Sequence, residues 1–162
     1  MEVRLEPSDD VEIVGWDARF KAAFFALNVE WIQRYFVVEP ADEEILSNPE
    51  GLILAGGGEV FFVVDKRTGE VLGTSALQPH HGVWELAKMA VSPRAQGRGI
   101  GRRLALAAIE AARQRGASEL LLETNSRLLP AIRLYESLGF SRTDPPADLR
   151  FERADVFMRL GL

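Results

Sequence analysis

The stretch ELAKMAVSPRAQGRGIGRRL, residues 85–104, leads from a buried strand through a glycine-rich turn into a helix. Its first part is short and mostly apolar, which is typical of a central strand, and a proline ends it because proline cannot donate to a sheet ladder. Three glycines then follow at alternate positions (Gly97, Gly99 and Gly101), and good helix formers begin at Arg102. The sequence therefore predicts a strand, a tight turn and a helix N-terminus.

The turn is suited to binding phosphate. Glycines let consecutive backbone N–H groups face one point, and a helix N-terminus attracts anions. Four arginines surround it: Arg94, Arg98, Arg102 and Arg103. The dinucleotide fingerprint GxGxxG fails because Leu104 or Arg102 stands where the third glycine is required, and the Walker pattern fails because no Gly-Lys-Ser/Thr follows.

Length and composition restrict the class of protein. The 162 residues, 47% hydrophobic and 27% charged, predict one domain over 1–162 with a sizeable core. There is no cysteine, hence no disulfide and no thiol nucleophile. The N-terminus lacks the features of a signal peptide, no apolar run approaches the roughly 18 residues of a membrane span, and the net charge is −5. We expect a cytoplasmic protein that binds neither membranes nor nucleic acid.

The patterns outside this stretch predict a mixed α+β domain. Residues 2–5 are expected to form a first strand, and Asp17 to cap a long helix that ends near Phe36. A short helix follows from Asp42 and stops at 48–49. Alternating apolar segments then predict an antiparallel meander with strands at 60–64, 70–77 and 83–91.

The second half of the chain predicts a crossover. A helix over 101–115 lies between the strand at 83–91 and a buried strand at 118–123, which implies a parallel, right-handed connection. A helix that starts near Pro130 and a last strand at 154–160 complete the order.

A second motif, NSRLLPAIRLYESLGF at residues 125–140, lies one helix and one strand after the glycine turn. Together, MAVSP followed by QGRGIG (96–101), and then Asn125 with LYESLGF, resemble the GNAT superfamily of N-acetyltransferases, which bind acetyl-coenzyme A (acetyl-CoA). The resemblance covers about residues 54–160, and the first fifty residues match only as two helices on the acceptor side.

The resemblance implies a fold and a cofactor position. The fold is α+β, a mixed and mostly antiparallel sheet of about seven strands, with helices on both faces and a splay between the fourth and fifth strands. The pantetheine arm of acetyl-CoA would enter that gap and pair with the strand backbone, while the pyrophosphate would meet the turn. The implied cofactor-binding residues are Met89, Ala90, Val91, Gln96, Gly97, Arg98, Gly99, Ile100, Gly101, Arg102 and Asn125.

The resemblance also implies direct attack of a primary amine, from a small molecule or a peptide, on acetyl-CoA in a ternary complex. An ammonium must lose a proton first, and Glu85 matches the position where some members have a catalytic glutamate. Tyr135 matches the tyrosine that protonates the leaving thiolate. Two other interpretations stay open: a solvated carboxylate at a strand end for Glu85, and a packed helix residue for Tyr135.

The acceptor is indicated only coarsely. Trp31 and Tyr35 are candidate substrate-binding residues, and the acidic side chains of the same half suit a cationic amine: Glu30, Glu39, Asp42, Glu43 and Glu44. The sequence also leaves a homodimer open.

Four further residues are assigned no part in the chemistry. His80 and His81 are adjacent, so they should point apart on a strand, and no metal site is expected. Glu119 and Glu123 flank a strand, and we expect both to be solvated.

Two rival functions remain at this level. One is a non-catalytic acyl-CoA-binding or regulatory GNAT module, which the presence of both Glu85 and Tyr135 argues against. The other is a nucleotide-binding module, which the failed phosphate fingerprints argue against. Release of free thiol from acetyl-CoA with any amine would exclude both.

Overall fold

The computed structural model describes residues 10–162, and the strand predicted at 2–5 lies outside them. Seven strands form one sheet: β1 Val11–Val14, β2 Glu59–Asp65, β3 Val71–His80, β4 Val83–Val91, β5 Glu119–Thr124, β6 Ser141–Arg142 and β7 Val156–Gly161. The helices are α1 Lys21–Tyr35, α2 Pro40–Ser47, α3 Ile100–Gln114 and α4 Leu129–Ser137. None of the helices in this part of the chain is both long and apolar enough to cross a membrane.

The sheet order β1-β2-β3-β4-β5-β7-β6 confirms the predicted architecture. Strands β1 to β4 form an antiparallel meander, β4 and β5 are parallel, and β7 lies antiparallel between β5 and β6. The parallel contact is a single pair, Glu85 with Leu121. Beyond it β4 and β5 diverge, so the predicted splay between the fourth and fifth strands is confirmed.

Several boundaries differ from the predictions because local hydrogen bonds extend or precede the apolar patterns. Asp17 caps a 3-10 turn, Ala18–Phe20, rather than α1, and its carboxylate accepts from the Arg19 amide at 2.9 Å. A capping box between Glu39 and Asp42 starts α2 earlier than expected. Strand β6 and a π-helical turn over Glu50–Leu54 were not predicted, since neither shows a periodic apolar pattern.

The core has two layers because side chains alternate between the faces of the sheet. On one face, Leu77 and Leu86 pack with α3 and α4, and the alanines of α3 allow that helix to lie close to the sheet. On the other face, Phe62 packs with Phe24 and Ile32 of α1. The two layers hold helices on both sides of the sheet, as expected.

A β-bulge sits in the middle of β4. Ala76 of β3 pairs with Ala87 and Thr74 pairs with Ala90, so two residues of β4 lie opposite one residue of β3. The first of the two, Lys88, has a φ of 52°, a left-handed conformation that non-glycine residues adopt at a cost of about 1–2 kcal/mol. The bulge redirects β4 where it separates from β5.

A buried ion cluster holds the bulge. The Lys88 ammonium lies 3.3 Å from a carboxylate oxygen of Asp42, which is fully buried on α2. Arg153 donates to the other oxygen of Asp42 at 2.7 Å and to Glu39 at 3.1 Å. Burial lowers the pKa of Lys88 to about 8. Burial opposes ionisation of Asp42, but Arg153, Lys88 and the Glu39 amide together hold its pKa below its ordinary value.

We expect Asp42→Asn to lower the free energy of unfolding by roughly 3–5 kcal/mol, because it leaves Lys88 as a buried charge without a carboxylate partner and removes one of the two carboxylates that pair with Arg153. Glu43→Gln, at the adjacent exposed position of α2, should change it by less than about 0.5 kcal/mol. Urea denaturation of the two variants measures both values. Equal stability of the two variants would contradict the role given to the cluster.

Candidate functional site

A cavity of about 620 Å³ opens where β4 and β5 diverge. Its walls come from β4, the glycine turn, the first turn of α3, the end of β5, α4, the last turns of α1 and the segment 150–154. Elements far apart in the sequence meet here because the splay leaves the inner edges of two central strands uncovered.

The glycine turn has the conformation that an anion site requires. Gly97 and Gly99 have φ values of 82° and 74°, which side chains disfavour, and a Cβ at either position would meet no other atom within 4 Å. Gly99 is the N-cap of α3, and no side chain of the described residues caps that helix. The first amides of α3 are therefore available to a ligand at the open side of the turn.

Most of the predicted site residues line this cavity: Trp31, Tyr35, Glu85, Met89, Val91, Gln96, Gly97, Gly99, Ile100, Gly101, Arg102, Asn125 and Tyr135. Ala90 and Arg98 do not. Ala90 is buried in its pairing with Thr74 of β3. Arg98 lies near Asp65 and helps to lower its pKa, and Arg94 pairs with Glu70. Of the four arginines that the sequence places around the turn, Arg102 alone lines the cavity.

Asn125 lines the cavity with its side chain already engaged. Its amide nitrogen donates to the carbonyl of Arg153 at 2.7 Å, and its oxygen accepts from the Arg127 amide at 2.8 Å. The residue therefore joins the end of β5 to the segment that closes the acceptor side. A cofactor contact from this side chain would have to share these bonds.

Glu85 stands at the start of the splay with a perturbed carboxylate. The residue is 6% exposed, and Arg150 donates to its Oε2 at 2.7 Å. Burial raises the pKa of Glu85 to about 7, with Arg150 opposing the rise and Glu123 adding to it. A carboxyl group with that pKa exchanges protons near neutral pH, as a general base must.

Glu123 was expected to be solvated, and this is wrong. It is partly buried, lines the same cavity, and has an oxygen, Oε1, that is buried without a hydrogen-bond partner in residues 10–162. Burial raises its pKa. The sequence placed Glu123 at a strand end, but the parallel pairing turns its side chain inward beside Glu85.

Tyr135 projects from α4 into the cavity wall and is 8% exposed. Its ring packs edge-on against Phe140, with centroids 5.9 Å apart. Burial raises the pKa of the phenol above its ordinary value, so the hydroxyl keeps its proton at neutral pH. The hydroxyl is thus a stable hydrogen-bond donor.

The acceptor end differs in charge from the sequence interpretation. The five acidic residues of the first half do not line the cavity, because Asp42 and Glu39 belong to the ion cluster and Glu30 pairs with Arg34 at 3.6 Å. The charged lining includes Glu85, Glu123, Lys88 and arginines that the sequence did not single out: Arg127, Arg150 and Arg153. No periodic pattern marks residues 150–153, so their position depends on the folded chain.

The two histidines do not point apart. His81 has a left-handed φ of 47°, which brings its ring to 4.3 Å from that of His80, centroid to centroid. Both Nε2 atoms approach Asp148 Oδ2, at 3.2 Å for His80 and 2.9 Å for His81. The three groups could together hold a metal ion, which corrects the geometric reason given for excluding one.

Comparison with known proteins shows which family has this arrangement. Residues 25–140 match the model of the acetyltransferase (GNAT) family. The chain is 36% identical over 114 residues to the uncharacterized N-acetyltransferase YjgM of Escherichia coli, covering 68% of this chain and 65% of that protein. It is 33% identical over 122 residues to the mycothiol acetyltransferase of a Nocardioides species, covering 65% of this chain and 38% of the relative. The chain therefore spans less than two thirds of these relatives.

Solved structures share the fold along nearly the whole chain. A GNAT-family acetyltransferase from Staphylococcus aureus superposes with a TM-score of 0.83 at 18% identity, covering 93% of this chain and 98% of that one. The yncA protein of Salmonella typhimurium, solved with its cofactor acetyl-CoA, superposes with a TM-score of 0.72 at 25% identity and 93% coverage of both chains. The sequence match, the sheet order and the splayed strands lead to one conclusion: this chain belongs to the GNAT family of acetyltransferases.

Proposed function

We propose that this protein is an acyl-CoA-dependent N-acetyltransferase that moves an acetyl group from acetyl-CoA to a primary amine of a small molecule or peptide. One observation carries the proposal: a carboxyl group that titrates near neutral pH, Glu85, and a buried phenol, Tyr135, line the same cavity as the uncapped N-terminus of α3. A binding module without turnover has no use for this pair of proton-transfer groups.

The residues present fit acetyl-CoA. The open side of the glycine turn accepts a pyrophosphate without steric conflict, since a Cβ at Gly97 or Gly99 would meet only open space. Met89 and Val91 of β4 line the gap that β5 has left, so the backbone there can pair with the amides of pantetheine. Met89, Val91 and the α3 amides would hold the cofactor, with its thioester toward Tyr135.

Acetyl-CoA supplies a thioester carbonyl that the amine nitrogen attacks directly: a C–N bond forms, the C–S bond breaks, and one proton is released overall. Glu85 takes the proton from the acceptor ammonium, directly or through a water molecule, and frees the lone pair. Arg150 keeps a share of Glu85 ionised near neutral pH, since its positive charge opposes the effect of burial.

Tyr135 gives a proton to the sulfur as the thiolate departs, and regains one from the nitrogen, which must lose a second proton to become an amide. The raised pKa of the phenol means that Tyr135 donates only as negative charge develops on the sulfur. Its position on α4, facing the splay, supports this role over that of a general base.

The first test concerns the turn. Gly99→Val should weaken binding of coenzyme A by about tenfold or more, because a β-branched residue cannot keep the left-handed φ that aims the α3 amides. Gly69→Val is the matched control: its glycine has the same φ of 74° and equally open surroundings, but lies in the β2–β3 turn. Calorimetry with coenzyme A should show near-normal affinity for the control. Equal losses in both variants would contradict the site.

The second test is the pH dependence of kcat/KM. Glu85 works only when ionised, so activity should fall as pH drops through about 7, in addition to any limb from the acceptor amine itself. Glu85→Gln should remove this limb and lower turnover by about 100-fold, with coenzyme A affinity retained. Glu119→Gln, at a glutamate of β5 that lies outside the cavity, should keep both the limb and the rate. If kcat/KM of Glu85→Gln still falls below about pH 7 as in the wild-type protein, the general base is a different group.

The third test separates packing from chemistry at one atom. Tyr135→Phe keeps the ring against Phe140 and should lower turnover by about 100- to 10,000-fold, with little change in coenzyme A affinity. An acetyl donor whose leaving thiol has a much lower pKa should recover most of that loss, because its thiolate departs without a proton. Slow turnover with both donors would mean that the hydroxyl positions the thioester instead.

A further inference from the structure

A row of three polar side chains crosses the sheet beneath the acceptor end of the cavity. Gln78 of β3 pairs with Glu85 of β4, so their side chains share one face. Glu85 pairs in parallel with Leu121, and Glu123 follows two residues later on the same face of β5. All three side chains line the cavity, and Gln78 is only 3% exposed.

Two acceptor oxygens of this row have no hydrogen-bond donor opposite them in the described chain. Gln78 Oε1 and Glu123 Oε1 are buried acceptors without a partner among residues 10–162. Buried polar atoms are nearly always bonded, so these oxygens indicate a ligand that donates. An ammonium group brings three N–H donors and a positive charge, which suits a site with two carboxylates.

Arg150, in the segment after β6, faces this row and has a hydrogen-bond donor that lacks an acceptor among the described residues. Its Nη2 donates to Glu85 at 2.7 Å, but its Nε is buried with no acceptor in the described part of the chain. The other two buried cations of this region are occupied, because Lys88 and Arg153 are neutralised by Asp42 and Glu39. The guanidinium of Arg150 therefore offers its remaining edge to an anion, and the planar fork matches a carboxylate.

We propose that the acceptor is an α-amino acid with an apolar or aromatic side chain, its ammonium bound by Glu85, Glu123 and Gln78 and its carboxylate by Arg150. A single small zwitterion could satisfy both the unpartnered acceptors and the unpartnered donor, since all three residues line one cavity. The aromatic lining from Trp31, Phe36 and Phe151 provides the apolar surface for the side chain. This substrate class rests on the N-acetyltransferase function proposed above.

The assignment also gives Arg150 a part in the reaction. In the free protein its contact with Glu85 lowers the pKa of that carboxyl against the effect of burial. A carboxylate on the Nε edge draws part of the guanidinium charge away from Glu85, so an acceptor with this group makes Glu85 more basic when its ammonium arrives. Arg150 is thus a substrate-binding residue that also tunes the base.

The test compares three acceptors of one shape: L-phenylalanine, its carboxamide and phenethylamine, which has no carbonyl group. Thiol release from acetyl-CoA is measured for each, and kcat/KM is referred to the concentration of unprotonated amine. We expect the amino acid to exceed each of the others by roughly 10- to 100-fold, the range of one charge-assisted contact. Phenethylamine equal to the amino acid overturns the proposal. An equal kcat/KM for the carboxamide also overturns it, because a carbonyl group without a negative charge would then be enough for recognition. A peptide N-terminus offers such a carbonyl.

Arg150→Gln supplies the second arm. It also disturbs Glu85, which affects every acceptor alike, so the readout is the ratio of kcat/KM for phenylalanine to that for phenethylamine. This ratio should fall by roughly 10- to 100-fold in Arg150→Gln and stay unchanged in Arg159→Gln, which breaks an exposed arginine–glutamate pair outside the cavity. An unchanged ratio in folded Arg150→Gln overturns the assignment. If Arg150→Gln does not fold, the wild-type comparison decides alone.

A binding measurement separates this inference from the proposed function. With coenzyme A present, L-phenylalanine should raise the Tm of the wild-type protein and not that of Arg150→Gln, whereas phenethylamine should raise neither. If the kcat/KM ratio and the Tm shift both contradict these expectations while phenethylamine is still acetylated, the amino-acid substrate class is overturned. The proposed N-acetyltransferase function would then stand. Normal coenzyme A binding without thiol release for any amine overturns the proposed function and this inference with it.

Discussion

The separation of β4 from β5 creates the cavity and leaves backbone groups of two central strands unpaired with each other. One backbone pair, Glu85 with Leu121, joins these strands, and the bulge at Lys88 then turns β4 away. A central strand that leaves its neighbour exposes amides and carbonyls that must find partners. The cavity, the access to residues 89–91 and the position of the glycine turn all follow from that divergence.

The bulge is maintained by charge rather than by glycine. Lys88 holds a left-handed backbone, and its ammonium reaches Asp42 on α2 and lies 4.3 Å from the ring centroid of Phe151. Arg153 completes the same cluster from the other end of the chain. The charged groups of this cluster are therefore paired with one another and are not available to a ligand. Among residues 10–162, four side chains have a buried polar atom without a hydrogen-bond partner, and three of them line the cavity: Gln78, Glu123 and Arg150. The fourth is His80, whose Nε2 lies 3.2 Å from Asp148. This contrast separates the structural charges of the cluster from the polar groups available to a ligand.

Similarity to solved structures supports the same division. A TM-score of 0.83 at 18% identity means that the sheet and its helices tolerate extensive replacement of side chains. The fold therefore accounts for a cofactor gap and a phosphate turn, whereas the acceptor depends on the particular groups in the wall of each protein. In the acceptor site proposed for this chain, those groups come from β3, β4, β5 and the segment before β7.

The sheet and the phosphate turn could be predicted from the sequence, because both depend on local signals. Alternating apolar residues predict strands, a helix between two strands requires a parallel crossover, and glycines at alternate positions before a helix favour an anion-binding turn. Glu85 and Tyr135 could be selected because they match positions of the GNAT pattern. The acceptor wall was decided only by the tertiary structure. Glu123 turns inward through its register with β4, and Arg150 reaches Glu85 across 65 residues of sequence. Their roles depend on burial and on long-range pairing, which set the hydrogen bonds and pKa values of these groups and which no local pattern encodes.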